Sequence, residues 1–528
     1  MQKKLLFICF ASIALVSDVH PDGCSNNSSD HEATSRTFLW IRPQFRSVDP
    51  IYLSGFRDLR LHAKEDGWGG AVQVVLFGGR TTKEEEIARY FLPFGKTSIL
   101  VEENQAIAVG SNADVFSQNF NVATINGDFQ SVVTLSPHQS TVALGLHYRQ
   151  ALWWSEECGR GIWASISSPI THIKNNIGFC ETVQNDGGGV NPNFSNAVPN
   201  MTAAFGQNAW NFSKIFPCGH GITRLADIEL KVGYEWLQNC PCHVESYLGV
   251  LVPTGNAVDA CHMFSPVVGE GKHWGAMFGS YYGLEVWSDD CNERSLRTEY
   301  ALHGEYLFSK KQTRSFDLVG KQWSRFLPVY INQEAALAAS TAPTAELDPN
   351  VDATAGINVF TQKVKVTPGY SVNFTAALVY TSCSFSAELG YNFFARQAEC
   401  VKLACPWVEG PALKDRRGFG RTRPIRDITG DYFLEDSVIT GAVLPAVNLP
   451  VPPANYSASI ITEDQLDLVS ASQPCGISNT FYGSVGCDFD TYCDYPAFAN
   501  IGGEYEFSRS NNAMVNRWTV WGKVGVSF

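Results

Sequence analysis

The stretch Arg517–Phe528, RWTVWGKVGVSF, decides how the rest of the sequence is read. Its even positions, Trp518, Val520, Gly522, Val524, Val526 and Phe528, are apolar, whereas its odd positions include Arg517, Thr519, Lys523 and Ser527. Successive side chains of a strand point to opposite faces, so a period of two marks a strand with one apolar and one polar face. The pattern recurs upstream. Ile228, Leu230, Val232, Tyr234 and Trp236 alternate with Glu229, Lys231, Gly233 and Glu235. Leu296, Tyr300, Leu302, Tyr306 and Phe308 oppose Arg297, Glu299, His303 and Glu305. Tyr370–Tyr380 and Phe385–Ala395, separated by a short turn, set Tyr, Phe and Leu against Asn373, Glu388, Asn392 and Arg396, which predicts a hairpin. Ile501, Tyr505 and Phe507 alternate with Glu504 and Glu506.

Composition agrees with an all-β chain. Charged residues are 17% and aromatics 12% of the 528 residues, with 45 Gly, a mixture that suits strands and tight turns better than helices. A net charge of -13 argues against a broad nucleic-acid surface, which needs clustered Lys and Arg to replace counterions. Two architectures explain strands with one greasy face. In a soluble sandwich that face enters a shared core; in a membrane-spanning barrel it meets lipid and the charged face lines the inside. The strands run to the roughly 9–11 residues needed to cross tilted hydrocarbon, and aromatics fall near the ends of several apolar faces, as at an interfacial girdle. The barrel is the expectation and the exported sandwich its alternative.

Residues 1–17, MQKKLLFICFASIALVS, place Lys3 and Lys4 before an apolar run that is too short to span a bilayer, the pattern of a secretory signal peptide. Acylation at Cys24 is the alternative. A flexible segment is expected over 18–35 and the barrel over 36–528. The 15 cysteines fit an oxidising compartment. Cys158, Cys180, Cys218, Cys240, Cys242, Cys261, Cys291, Cys400, Cys405, Cys475 and Cys493 are read as loop staples of undetermined connectivity, with Cys487–Cys493 a further staple.

With its alternate apolar residues leading to a terminal Phe, the opening stretch resembles the C-terminal targeting strand of Gram-negative outer-membrane β-barrel proteins. It matches at Trp518, Val520, Val524, Val526 and Phe528. The resemblance implies an outer-membrane location, recognition by the barrel assembly machinery, and closure of the last strand on the first. The segment Leu248–Gly255 looks a little like strand ends of channels of the long-chain fatty-acid transporter type, and the cysteine content is similar to that of disulfide-linked barrels of chlamydia-like envelopes.

Fifteen strand candidates can be drawn, among them 36–45, 129–135 and 313–327, and since bacterial barrels are even-numbered the expectation is fourteen, with twelve or sixteen open. Residues 83–91 predict a short helix, and EAALAAS at 334–340 another. Long connections are expected at 173–223 and 398–476, the latter outside the cell. It contains Lys414, Arg416, Arg417, Arg421, Arg423 and Arg426, which would form an anion-attracting constriction if folded inward and a solvated basic loop if not.

No hydrolase, phosphate-binding or dinucleotide motif is present, so neither an enzyme nor a cofactor is expected. Asp488, Asp490 and Asp494 carry oxygen ligands of the calcium type, but a Cys487–Cys493 staple with exposed acids is the simpler account and the one expected. The scattered histidines predict no metal set. Sequons at Asn193, Asn200, Asn211, Asn373 and Asn455 are attributed to an Asn-rich composition. The functional expectation is a porin-like channel passing small hydrophilic solutes, lined by Glu229, Lys231, Glu235, Arg297, Glu299, His303, Glu305, Glu388, Arg396, Glu504 and Glu506. Alternatives are a structural or adhesive envelope barrel, self-associated or disulfide-linked to its neighbours, and a transporter of hydrophobic substrates.

Overall fold

A computed structural model describes residues 34–42, 69–103, 113–155, 159–194, 196–216, 218–239, 242–289, 293–331, 353–413, 460–489, 496–508 and 513–528. Twelve strands, each antiparallel to its neighbours, form a closed ring. They are β1 (Gly70–Thr82), β2 (His138–Ser155), β3 (Arg160–Asn176), β4 (Ile228–Asn239), β5 (Cys242–Val252), β6 (Gly275–Ser288), β7 (Arg294–Leu307), β8 (Gly369–Ser382), β9 (Phe385–Arg396), β10 (Gly476–Asp488), β11 (Ala497–Ser508) and β12 (Asn516–Ser527). Each pairs with the next in sequence, and β12 pairs with β1 from Ala71↔Ser527 to Thr82↔Asn516. Closure leaves no long strand edge unpaired, which is the condition for strands to cross hydrocarbon.

Among the described residues the ring has twelve strands, the lower of the alternatives to the expected fourteen. A thirteenth strand, His220–Leu225, pairs only with the far half of β3 and stands outside the ring. Three expected strands lie elsewhere. Residues 34–42 carry no strand, the strand near 129–135 is Gln130–Thr134, and the one near 313–327 is Lys310–Ser315, both in small sheets of their own. These pieces alternate like the others but are only 5 and 6 residues long. Val133 of the first, and Phe316 and Leu318 just after the second, are buried in protein rather than facing lipid, a distinction that periodicity cannot make.

The connections sort by end. At one end, with Gly70 and Phe528, lie the short links 156–159, 240–241, 289–293, 383–384 and 489–496. At the other lie 83–137, 177–227, 253–274, 308–368, 397–475 and 509–515. Strict up-and-down pairing forces this partition and, 509–515 apart, it is the division between short turns and long loops found in outer-membrane barrels.

The long loops build a folded cap. It contains the helix Glu84–Phe91, expected from sequence, and small sheets such as Lys310–Ser315, Thr361–Thr367 and Cys400–Leu403. Its core gathers Phe91, Phe120, Phe205, Trp210, Trp323, Phe326 and Phe360 with many aliphatic residues. Trp210 stacks on Phe326 at 5.0 Å and Trp323 meets it edge-on at 5.3 Å. Asp317, held by Arg325 at 2.6 Å and by Ser35 Oγ at 2.8 Å, pins the N-terminal segment to this core. Arg314 forms a bidentate pair with Glu399 and lies 3.7 Å from the Phe38 ring centroid. Although burial works against the charge, Arg314 and the Gln473 N–H hold the Glu399 carboxyl below its ordinary range.

The basic stretch 414–426, the 334–340 helix, and Asp490, Asp494, Cys158, Cys240, Cys291 and Cys493 lie outside the described residues. Of the expected staples, Cys180, Cys218, Cys242, Cys261, Cys405 and Cys475 carry free thiols, as does Cys487, whereas Cys400 is in a disulfide.

Candidate functional site

The two faces of the barrel wall differ as the alternation requires. Outward lie Leu76, Val142, Leu144, Ile166, Val232, Leu248, Phe278, Leu378, Leu389, Phe481, Ile501, Val520 and Val524, with Leu248 71% and Leu389 72% exposed. A continuous exposed apolar belt of this size is incompatible with water and complementary to acyl chains. Trp518, Val520, Val524 and Val526, read as part of an assembly signal, face outward on β12, and Phe528 N–H donates to the Gly70 carbonyl at 2.8 Å.

The inner face is polar and charged, and its groups form two belts. Nearer the short turns, Arg149 donates to Glu245 at 2.6 Å and Glu235 at 3.2 Å and stacks 4.0 Å from the Trp163 ring centroid. Arg297 pairs with Glu299 at 3.3 Å, and the Tyr482 hydroxyl donates to Glu388 at 2.8 Å. Nearer the long loops, Lys231 pairs with Glu229 at 2.9 Å, Ser371 Oγ donates to Glu305 at 3.4 Å, and Arg517 pairs with Glu506. Thus Glu229, Lys231, Glu235, Arg297, Glu299, Glu305, Glu388 and Glu506 all turn inward and are buried. His303 accepts or donates at 2.7 Å with the Tyr247 hydroxyl. Glu504, also on the inward-facing set of β11, is partly exposed. Arg396 sits at the loop rim of β9, bonded to the Ala513 carbonyl at 3.1 Å and over the Trp40 ring.

Aromatic side chains need room on this face. The Trp163 and Tyr247 rings lie flat over Gly233 and Gly279, where a Cβ would fall 2.2 and 2.4 Å from ring atoms. Most groups of the charged belts are buried, so at their level the inner face is closely packed. An open water column, the porin expectation, is therefore not the geometry of this conformation.

Three participants were not singled out by the sequence reading. Arg149 and Glu245 share the inward parity of their strands, Arg149 with His147 and Glu245 with His243 and Tyr247, and that parity was their available signal. Glu235, His243 and Glu245 bring potential ligand atoms within 4.8 Å of one another. Arg149 already donates to both carboxylates, which makes the group an ion-pair cluster. The third is Arg42, for which no local signal exists. It bonds Asn392 at 3.1 Å, pairs with Glu506 at 3.4 Å and lies 4.3 Å from the Phe394 ring centroid. Arg517 donates to its carbonyl. The segment before it is fixed by Trp40 N–H to Gln473 at 2.6 Å, so residues 34–42 descend from the cap into the loop-end mouth.

No family model matches the chain, and no curated protein matches it. Among solved structures, an outer-membrane channel from Pseudomonas putida F1 is similar at 7% identity and TM-score 0.37, covering 87% of this chain and 96% of that one. The translocator domain of the autotransporter NalP from Neisseria meningitidis follows at 8% and 0.30, covering 89% and 90%. The Ralstonia pickettii toluene transporter TbuX stands at 7% and 0.28, covering 94% and 96%. Scores this low add no weight, and the barrel stands on its own strand pairing. With its ring closed, its outside apolar, its inside charged and its long loops all at the end opposite Gly70 and Phe528, the molecule has the architecture of a bacterial outer-membrane β-barrel.

Proposed function

We propose that this protein is an outer-membrane channel for small solutes whose resting state is closed at the loop end, with residues 34–42 acting as the bolt. The observation that carries the reading is Arg42: a residue from outside the ring that pairs with Glu506 on its inner face and bonds Asn392 beside it. A polar, charged inner face supports passage of hydrophilic rather than apolar molecules. The belts of opposite charge would act on a solute once the bolt withdraws.

Planar-bilayer recording of the purified protein tests this. Wild type should be closed for most of the time, and a Trp40→Ala/Arg42→Ala variant should show discrete conductance steps at much higher open probability. Silence from both proteins over repeated insertions would remove the channel reading. A display role would then stand, favoured by a cap with its own aromatic core and exposed thiols at Cys180, Cys218, Cys405 and Cys475. In that case non-reducing gels of whole envelopes should show high-mass species that collapse with reductant.

A further inference from the structure

The three-stranded cap sheet Lys310–Ser315, Thr361–Thr367, Cys400–Leu403 stands directly over the loop ends of β7, β8 and β9. Lys310 follows β7 after two residues, Thr367 leads into β8 through Pro368, and Cys400 follows β9. Its faces are unlike. Gln312, Arg314, Val364, Val366 and Val401 are buried, the valines within the cap core. On the other face Lys311 is paired across from Lys365 and Lys365 from Lys402, with Lys363 one step along the same face, and all four are exposed. Because the opposite face enters the cap core, the lysine face turns away from the barrel axis.

Like charges directly opposite on neighbouring strands disfavour the sheet. Among the described residues, none of these lysines has an acidic partner within ion-pair distance, in a chain whose net charge is -13. Protection of a sheet edge does not explain them, since Lys363 and Lys365 occupy the central strand. Just below, Tyr306 packs on Tyr370 at 4.7 Å and on Phe308 at 5.3 Å, with Phe308 and Tyr370 exposed on the outer surface. Aromatic side chains in that position mark the boundary between hydrocarbon and headgroups. The lysines are therefore one step above the boundary, facing outward, where anionic headgroups would lie.

We propose that Lys311, Lys363, Lys365 and Lys402 bind the phosphates of lipid headgroups in the leaflet surrounding the loop end. The lysines act as point charges on phosphate oxygens, and Tyr370 and Phe308 hold the adjoining acyl–headgroup boundary. The inference rests on the loop end being the outer side of the membrane. Trypsin treatment of intact cells tests that side independently, so its failure and the failure of the lysine site are told apart.

The experiment is native mass spectrometry of the full chain in neutral detergent, titrated with diphosphoryl lipid A, with its phosphate-free analogue and with sodium pyrophosphate. Wild type should retain the phosphorylated lipid at least about tenfold more strongly than a variant carrying Lys311→Gln, Lys363→Gln, Lys365→Gln and Lys402→Gln, and retention should weaken with salt. The corresponding four Lys→Arg changes should keep it. Equal retention by the Gln variant, equal binding of the phosphate-free lipid, or pyrophosphate binding as tight as the lipid would each overturn the proposal. Unheated gel migration reports folding of the variants. Should the fourfold Gln change impair it, Lys311→Gln/Lys402→Gln on the two outer strands gives the same comparison with a smaller expected loss of about threefold.

Discussion

Leu389→Arg puts the solvent of the outer face to a direct test. Leu389 lies in the first half of β9 from the short-turn end, paired with Leu378 on one side and Gly483 on the other. At 72% exposed it makes few contacts within the protein, so replacing it changes little except what the surroundings must solvate. In acyl chains, a guanidinium toward the middle of a strand costs about 2–4 kcal/mol, falling towards zero near the interfaces. That is a factor of roughly 30 to 900 in the folded-to-unfolded ratio, using about 1.4 kcal/mol per tenfold. In water the same change would lie within about 0.5 kcal/mol of neutral, the usual range for an exposed surface site. Equilibrium urea unfolding in phospholipid vesicles, followed by tryptophan fluorescence, reads the difference. A Leu389→Arg protein as stable as wild type would refute the lipid-facing assignment, and with it the inward assignment of every charged residue of opposite parity.

Two further outcomes concern the cap. Arg314→Ala removes the bidentate cation from buried Glu399, whose carboxylate keeps the Gln473 N–H, at a cost of about 3–5 kcal/mol; limited proteolysis should then cut the cap while the barrel stays heat-modifiable. Asp467 has a carboxyl pushed up to about 6 by burial and by Asp317 paired across from it. A carboxyl whose folded pKa is raised holds its proton more tightly in the folded state, so cap stability should fall as pH rises from about 4 to about 6 and stay level above. The full penalty of about 3 kcal/mol is reduced to roughly 1–2 because water still reaches this half-buried group. Asp467→Asn, which keeps an oxygen for the Ser470 N–H, should remove that pH dependence in cap-proteolysis assays; an unchanged profile would reject the assignment.

Legibility of the fold followed the range over which its causes act. A strand's parity is a local property, so the outward set on β12 and the inward placement of residues such as Glu229 and Glu305 were available from alternation alone. Strand length was available for one surplus strand, since 129–135 is too short for the hydrocarbon span; 313–327 is long enough, and its strand proved to be only Lys310–Ser315. Residues 34–42 are different. Their alternation is real, with Leu39 and Ile41 in the cap core and Trp40 facing Arg396, but the faces are satisfied by loops hundreds of residues away. Nothing within the segment distinguishes that surrounding from lipid.

The same reasoning explains why the expected charged lining was placed on the inner face without its consequence being foreseen. Whether inward carboxylates and bases line an open passage depends on the circumference of the ring and on what enters it, and each strand knows only its two neighbours. Glu235 and Glu245 are brought together by pairing between β4 and β5, whereas Arg149 arrives from β2, on the far side of β3. Their convergence is set by the registers of the strands between them, so a slip of one residue at any interface would turn Arg149 to lipid and leave two carboxylates without their cation. The ion-pair belts thus penalise wrong registers more heavily than an apolar interior would. In a wall whose lipid face discriminates weakly between one aliphatic residue and the next, we regard that penalty as a principal source of the barrel's unique strand pairing.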